Sequence, residues 1–234
     1  MKLEMIAFDA DDTLWHGEIH YQIALEEMKE ILSPWQDPET IDKEIYAIEM
    51  KNMPIYGYGV KAFVLSMIEA AISISGGQVK AKTIDRLLTL GRAMLETEVE
   101  VLPHVPETLE FLSKEHSLMV ITKGDLLDQT AKVSRSGLAS YFSLVEVVNE
   151  KTPESYQAVF EKYSLDPKSL LMVGNSIRSD ILPILALGGT CVHIPANTTW
   201  EHEMVTGFNT AQPGFYEIEH MGHLPNLIAK ISQG

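Results

Sequence analysis

Short apolar runs alternate with amphipathic helical segments along most of this chain, and this alternation restricts the fold more than any other feature of the sequence. Five runs have the length and the apolar character of buried strands, namely 3–8, 117–121, 144–148, 170–173 and 191–194. Strands that alternate with helices pair in parallel through right-handed crossovers. The sequence therefore predicts an α/β fold with a Rossmann-like three-layer core, in which helices cover both faces of a parallel sheet.

Residues from about 18 to 100 interrupt this alternation. Their apolar residues recur at helical spacing, and Pro and Gly residues separate the helical segments. Such a stretch predicts an all-helical insertion between the first and second strands. We assign residues 1–17 and 101–234 to an α/β core domain and residues 18–100 to a helical domain. Within the core domain, residues 215–231 are expected to form a short edge strand and a closing helix.

Composition and charge exclude several classes of function. The formal net charge of −15 argues against binding to nucleic acid or to an anionic membrane surface. A small phosphorylated molecule stays compatible with this charge, because a metal ion or a few local cations override the global field. No apolar run is long enough to cross a bilayer or to serve as a signal peptide. The lone Cys191 excludes an internal disulfide, and we expect a cytoplasmic protein. The oligomeric state is not indicated.

Three carboxylates follow the first apolar run, in the sequence FDADDT. Asp9 and Asp11 are two residues apart, so their side chains leave an extended strand on the same face. In a parallel sheet, ligands bind beyond the carboxyl ends of the strands. Two carboxylates at that edge can hold Mg²⁺ and divide the roles of nucleophile and acid–base. A solvated acidic turn is the alternative interpretation of these residues taken alone.

Polar residues also follow three later strands. In VITKGD, Thr122 and Gly124 offer a hydroxyl and backbone N–H groups to an anion, although an ordinary turn fits as well. Lys151 follows the run LVEVV, where a solvent-exposed loop lysine is the alternative. In LLMVGNSIRSDI, Asn175 and Asp180 flank a loop that opens a helix, which Asp180 could simply cap.

The order of these motifs is more informative than any one of them. D-x-D-x-T, then Thr after a strand, then Lys, then G-N-S-x-x-x-D resembles the signature of the haloacid dehalogenase-like (HAD) hydrolase superfamily. The resemblance runs from Met5 to about Gly189, and the helical insertion lies in the position of the family's type-1 cap. It implies the phosphatase branch, because Asp11 can protonate an alkoxide leaving group. Dehalogenases of the family lack this second Asp, since a halide needs no proton.

The resemblance also implies roles for the site residues. Asp9 would be the nucleophile that forms an aspartyl-phosphate, and Asp11 would act as general acid and then as general base. Lys151 would bind phosphoryl oxygens and offset the repulsion among the acids, so it counts as both a catalytic and a substrate-binding residue. The remaining substrate-binding residues would be Thr122, Lys123 and Gly124.

A Mg²⁺ site is implied at the same edge, with Asp9, Asp11, Asn175 and Asp180 as the candidate ligands, Asp11 through its backbone carbonyl. One departure from the family pattern affects this site. The usual phosphatase motif has Asp directly after its Gly, whereas this chain has Asn175. Asn still offers a carbonyl oxygen to the metal, with one negative charge fewer. Whether Asn175 or Asp180 is the main ligand stays open.

The resemblance thus predicts a Mg²⁺-dependent phosphatase that acts on a small phosphorylated metabolite. A 2-haloacid dehalogenase-type hydrolase, a sugar-phosphate mutase and a non-catalytic binding protein of the same fold are the alternatives. Asp11 argues against the first, and only product analysis separates the second. Asn175 is the one feature that favours the third. Nothing in the sequence identifies the metabolite.

Overall fold

One parallel sheet of six strands organises the part of the chain that the computed structural model describes, residues 3–233. The strands are β1 (Met5–Phe8), β2 (Ser117–Lys123), β3 (Leu144–Val148), β4 (Leu170–Gly174), β5 (Thr190–His193) and β6 (Phe215–Glu217). Their order across the sheet is β3-β2-β1-β4-β5-β6, and every neighbouring pair is parallel. The predicted α/β fold with a parallel sheet is confirmed, including the short edge strand β6.

The helices are α1 (Glu18–Leu32), α2 (Pro38–Tyr56), α3 (Val60–Ile74), α4 (Ala81–Glu96), α5 (Val105–Leu112), α6 (Leu126–Arg135), α7 (Pro153–Tyr163), α8 (Leu182–Ala186) and α9 (Leu224–Gln233). Capping side chains explain where several of them begin. Before α2, the Asp37 carboxylate accepts the Thr40 N–H at 3.0 Å. Before α7, Thr152 and Ser155 form a reciprocal capping box. No helix among residues 3–233 is both long enough and apolar enough to cross a membrane.

The side chains of the central strand point alternately into two hydrophobic layers. Ile6 and Phe8 belong to a cluster that includes residues of α5 and α9. Met5 and Ala7 belong to a second cluster that includes residues of α7 and α8. Because successive strand residues face opposite sides of a sheet, β1 needs an apolar residue at every position. The result is the three-layer core that the sequence predicts.

The strand order reverses at β1, which lies between β2 and β4. Phe8 is paired with Val120 on one side and with Val173 on the other, so the carboxyl ends of the three strands lie at one edge of the sheet. In open α/β sheets the crevice at such a reversal is where ligands bind. The fold therefore brings the loops that follow β1, β2 and β4 together.

The chain divides into two compact units. The α/β unit consists of the described residues up to Glu18 and from Val99 onward, and the helical unit is Ile19–Glu98. The helical unit has its own hydrophobic core, to which α1, α2, α3 and α4 all contribute. Where the α/β unit breaks off and resumes, its two chain segments pair. The Leu102 N–H donates to the Leu14 carbonyl at 2.9 Å, and Trp15 forms an antiparallel bridge with Val101.

A glycine allows α4 to approach α3 closely in the helical unit. A Cβ atom at Gly91 would overlap the side chain of Val64 on α3. We expect Gly91→Val to lower the free energy of unfolding by about 1–3 kcal/mol, because the added atoms must displace packed neighbours. Ala93→Val on the exposed face of the same helix is the control. This substitution introduces the lower helix propensity of Val without any steric overlap with a packed neighbour. Urea unfolding curves of the two variants would measure the difference, and equal losses would contradict this account.

Candidate active site

The backbone of β1 continues past the strand and buries the first aspartate. The Asp9 N–H donates to the Val173 carbonyl at 2.9 Å, which extends the pairing with β4 by one residue. A tight turn follows, in which Asp12 adopts a left-handed conformation with φ 63°. The Asp12 carboxylate accepts the N–H groups of Gly17 and Glu18, both at 2.9 Å. Asp12 therefore stabilises the local chain path, whereas Asp9, only 7% exposed, lies at the strand end.

A buried lysine joins two buried carboxylates at this edge of the sheet. The Lys151 Nζ atom lies 2.5 Å from Asp9 Oδ1 and 2.6 Å from Asp180 Oδ1. Lys151 is 4% exposed and Asp180 is 1% exposed. Isolated charges are costly at such burial, so the ammonium group and the two carboxylates depend on one another. The lysine that the sequence selects thus contacts Asp9 directly, and the fourth-motif aspartate is connected to Asp9 through this lysine.

The protonation behaviour of this group follows from its burial. Burial raises the pKa of Asp9 to about 7, although the charge of Lys151 opposes the rise. For Lys151, burial alone would lower the pKa, but Asp180 and Asp9 outweigh it and hold the pKa well above its ordinary value. Lys151 is therefore charged at neutral pH, while Asp9 can still take up a proton there. A divalent cation at this edge would favour the ionised carboxylate.

Thr13 brings Asn175 next to Asp9. The Thr13 hydroxyl lies 3.1 Å from Asp9 Oδ2 and 3.2 Å from Asn175 Oδ1, so its single O–H can donate to either oxygen. A carboxylate oxygen and an amide oxygen therefore share one neighbour. Hard oxygen atoms of this kind are the ligands that Mg²⁺ takes in proteins, so the donor set fits this ion.

Asp180 lies deeper than Asn175 and already has protein donors on both carboxylate oxygens. Oδ1 accepts from Lys151, and Oδ2 accepts the Ser176 N–H at 3.0 Å. Gly174 makes room for this carboxylate, because a Cβ atom there would overlap it. The strand-ending glycine of the motif is thus explained by the close approach of Asp180.

Asp11 is held by a different set of residues. Its Oδ1 atom accepts the Trp15 indole N–H at 2.9 Å, and its Oδ2 atom accepts the Gln129 amide N–H at 2.8 Å. The Lys132 Nζ atom lies 3.0 Å from Oδ1 and 3.3 Å from Oδ2. Burial acts to raise the pKa of Asp11, but Lys132 and these hydrogen bonds outweigh it and lower the pKa below its ordinary value. Asp11 is therefore ionised at neutral pH and directed at α6.

The residues at the end of β2 have separate neighbours. Thr122 is buried, and its hydroxyl donates to Gln129 Oε1 at 3.3 Å. The Gly124 N–H donates to the Val148 carbonyl at 3.3 Å. The Lys123 ammonium group donates to the Glu203 carboxylate and to Ser179 Oγ, the latter at 3.0 Å. Thr122 is thus connected to Asp11 through Gln129. The phosphate-binding roles of Thr122, Lys123 and Gly124 stay predictions.

Four contributors to the site escaped the sequence analysis, namely Thr13, Gln129, Lys132 and Glu203. A signal existed for Thr13, the last residue of the D-x-D-x-T motif. The sequence indicates Gln129 and Lys132 more weakly. They are polar residues three apart, so they lie on one face of the helix that follows the Thr122 loop. No signal pointed to Glu203, which lies in a polar loop beyond the last motif.

The raised pKa of Asp9 makes the metal-free protein less stable at higher pH. The folded state holds this proton up to about pH 7, whereas the ordinary value is 3.8, so ionisation opposes folding as the pH rises between these values. We expect Asp9→Asn to stabilise the metal-free protein at pH 8 by about 1–2 kcal/mol, because Asn cannot ionise. Urea unfolding in a chelator at pH 5 and pH 8 would test this. A difference from wild type that is equal at both pH values would contradict it.

Comparison with known proteins identifies the family. A family model described as haloacid dehalogenase-like hydrolase matches residues 3–188. A haloacid dehalogenase-like family hydrolase from Xanthomonas campestris is 34% identical, with a TM-score of 0.89 over 99% of this chain and 92% of that one. No match was found among curated proteins.

Two more distant solved structures share the fold. A HAD-hydrolase from Bacillus subtilis bound to magnesium is 17% identical, with a TM-score of 0.70 over 98% of this chain and 100% of that one. A 2-haloacid dehalogenase from Pseudomonas syringae is 20% identical, with a TM-score of 0.66 over 98% and 99%. The family match covers most of the chain, and the Xanthomonas protein covers nearly all of it. The chain therefore belongs to the haloacid dehalogenase-like hydrolase family and is a hydrolase.

Proposed function

We propose that this hydrolase is a Mg²⁺-dependent phosphatase that cleaves a small phosphorylated metabolite through an aspartyl-phosphate. The observation that carries the proposal is a second carboxylate, Asp11, two residues from the buried Asp9. An alkoxide leaving group needs a proton donor, and a halide does not. The net charge of −15 supports a small-molecule substrate over nucleic acid or a membrane surface.

In this mechanism Asp9 attacks the phosphorus atom, and the bond from phosphorus to the leaving oxygen breaks. For this step Asp11 must first take up a proton, which the negative charge of a bound phosphate dianion favours, and it then gives that proton to the leaving oxygen. Water then attacks the aspartyl-phosphate while ionised Asp11 takes up a proton, which restores Asp9 and releases phosphate. The ionised state that Lys132 favours is the form needed in this second step. Lys151, charged and 2.5 Å from Asp9 Oδ1, offsets the repulsion between the nucleophile and the phosphoryl oxygens.

The metal would be held by the Asp9 carboxylate, the Asp11 backbone carbonyl and the Asn175 amide oxygen. We favour Asn175 over Asp180 as the direct ligand, because both Asp180 oxygens already accept from Lys151 and Ser176. When bound, Mg²⁺ neutralises part of the charge that the carboxylate and the phosphate bring together. The Thr122 hydroxyl and the nearby backbone of Lys123 and Gly124 would complete the phosphate contacts.

A dehalogenase-type hydrolase is the second candidate. The observation that favours it is the ion pair between Asp11 and Lys132, because a carboxylate held in this way is a poor proton donor. The two activities differ in product and in metal requirement. Release of phosphate from an ester that stops when Mg²⁺ is chelated supports the phosphatase, whereas release of halide from a 2-haloacid in chelator supports the dehalogenase. A rearranged phosphate ester without free phosphate would indicate a mutase.

We further propose that the helical unit 19–98 serves as the cap that the sequence places at 18–100, and that it selects the substrate. Its position in the chain directly after the first motif supports this role. Substitutions on its surface should change the relative KM values of different phosphate esters and leave the hydrolysis of a small aryl phosphate nearly unchanged. Uniform losses on all esters would contradict the proposal.

Substitution of the two aspartates separates their roles. Asp9→Asn is expected to abolish hydrolysis, since an amide is a poor nucleophile. Asp11→Asn should slow an alkyl phosphate by about 10²–10⁴-fold, the usual contribution of general acid–base catalysis, and an aryl phosphate by much less. Steady-state phosphate release on both esters would measure the two ratios. Equal losses on the alkyl and the aryl ester would contradict an acid role for Asp11.

The identity of the metal ligand can be tested by adding a charge. Asn175→Asp should tighten Mg²⁺ binding by about 1–2 kcal/mol, because a carboxylate replaces a neutral oxygen in a partly buried site. Calorimetric titration with Mg²⁺ in the absence of substrate would measure this. Asp180→Asn is the comparison. If Asp180 were the direct ligand instead, Asn175→Asp would leave the affinity unchanged and Asp180→Asn would lower it.

A further inference from the structure

One partly buried carboxylate near the candidate site comes from outside the residues that match the family. Glu203 ends the short 3₁₀ turn Glu201–Glu203 in the loop between β5 and β6, whereas the family match ends at residue 188. Its side chain is only 11% exposed. The carboxylate accepts hydrogen bonds from Lys123, from the Ser176 hydroxyl, and from the Ser179 hydroxyl at 2.6 Å.

Two of these donors belong to the turn that carries the fourth motif. Ser176 precedes the π-helical turn Ile177–Ile181, and its hydroxyl accepts the Ser179 N–H at 3.0 Å. The Ser176 N–H donates to Asp180 Oδ2 at 3.0 Å. The backbone and the hydroxyl of one serine thus contact two different carboxylates, Asp180 and Glu203. A displacement of Glu203 would therefore alter the hydrogen bonding of Ser176, the residue that directly follows Asn175.

The third donor comes from another strand. Lys123 is the last residue of β2, and its ammonium group also donates to Ser179 Oγ at 3.0 Å. In the sheet, β2 and β4 are separated by β1, the strand that ends at the nucleophile. The contact among Glu203, Lys123 and Ser179 therefore joins the two strand ends that flank Asp9.

The charge of Glu203 is retained across the whole range of neutral and mildly acidic pH. Burial acts to raise its pKa, but Lys123 and the two serine hydroxyls outweigh it and lower the pKa to about 2. An ion pair that is largely removed from solvent adds little net stability over an apolar pair, but removing one partner leaves the other charge poorly solvated and without compensation.

We propose that Glu203 is a positioning residue for the metal-binding turn. It fixes Ser176 and Ser179 against Lys123, and through them it sets the orientation of Asn175 and Asp180 toward Asp9. This inference rests on the proposed Mg²⁺ site. It adds to that proposal a residue from the C-terminal loop that contacts neither the metal nor the substrate.

Glu203→Gln tests the inference, because Gln keeps the shape and removes the charge. Glu201→Gln, an exposed position in the same 3₁₀ turn, is the matched control. Two measurements on substrate-free protein are needed: calorimetric titration with Mg²⁺, and hydrogen exchange of the Ser176, Ser179 and Asp180 amides. We expect Glu203→Gln to weaken Mg²⁺ binding by about tenfold, equivalent to about 1.4 kcal/mol, and to speed exchange at these amides. The control should match wild type in both.

The outcomes are distinguishable. Wild-type exchange rates in Glu203→Gln, or an unchanged Mg²⁺ affinity, overturn the positioning role. If Glu203→Gln does not fold, Glu203→Asp replaces it, since Asp keeps the charge on a side chain one methylene shorter and should give an intermediate affinity. If the wild-type protein binds no Mg²⁺, the proposed phosphatase function fails, and the exchange rates alone then decide whether Glu203 orders the turn.

Discussion

The structure of the site depends on one buried ammonium group. Lys151 stands between Asp9 and Asp180, and all three ionisable side chains are buried. Without Lys151, two buried carboxylates would face each other at the end of β1, an arrangement that folding would not tolerate with both ionised. The ammonium group therefore allows two buried carboxylates, Asp9 and Asp180, to lie at this edge of the sheet. It also ties the loop after β3 to the turn after β4, across the strand that precedes Asp9.

The other aspartate is governed by a second cation. Lys132 pairs with Asp11, and Gln129 links Asp11 to the Thr122 hydroxyl. The two carboxylates of the D-x-D motif are therefore in opposite electrostatic situations. The pKa of Asp9 is raised by burial, and that of Asp11 is lowered by its partners. Divergent environments for two neighbouring acids are what a division between nucleophile and acid–base requires.

The sequence predicted the fold and the edge of the sheet better than it predicted the contacts made there. Apolar runs are local features, so the strands and the residues that follow them could be located. Asp180 shows the limit, because whether it caps a helix, holds a metal or pairs with Lys151 depends on rotamers and on a loop 29 residues away. Glu203 shows the same limit, since nothing in the sequence around it indicates that it pairs with Lys123 at the end of β2. The roles of the predicted site residues stay predictions.

The two chain segments that connect the α/β unit to the helical unit pair with each other. Leu14 pairs with Leu102, and Trp15 forms a bridge with Val101. Paired strands lie about 5 Å apart, so the helical unit begins and ends at neighbouring points on the α/β unit. An insertion with adjacent ends adds little loop-closure entropy and can be replaced, lengthened or lost without disturbing its host. The helical unit and the α/β unit can therefore diverge independently in this architecture.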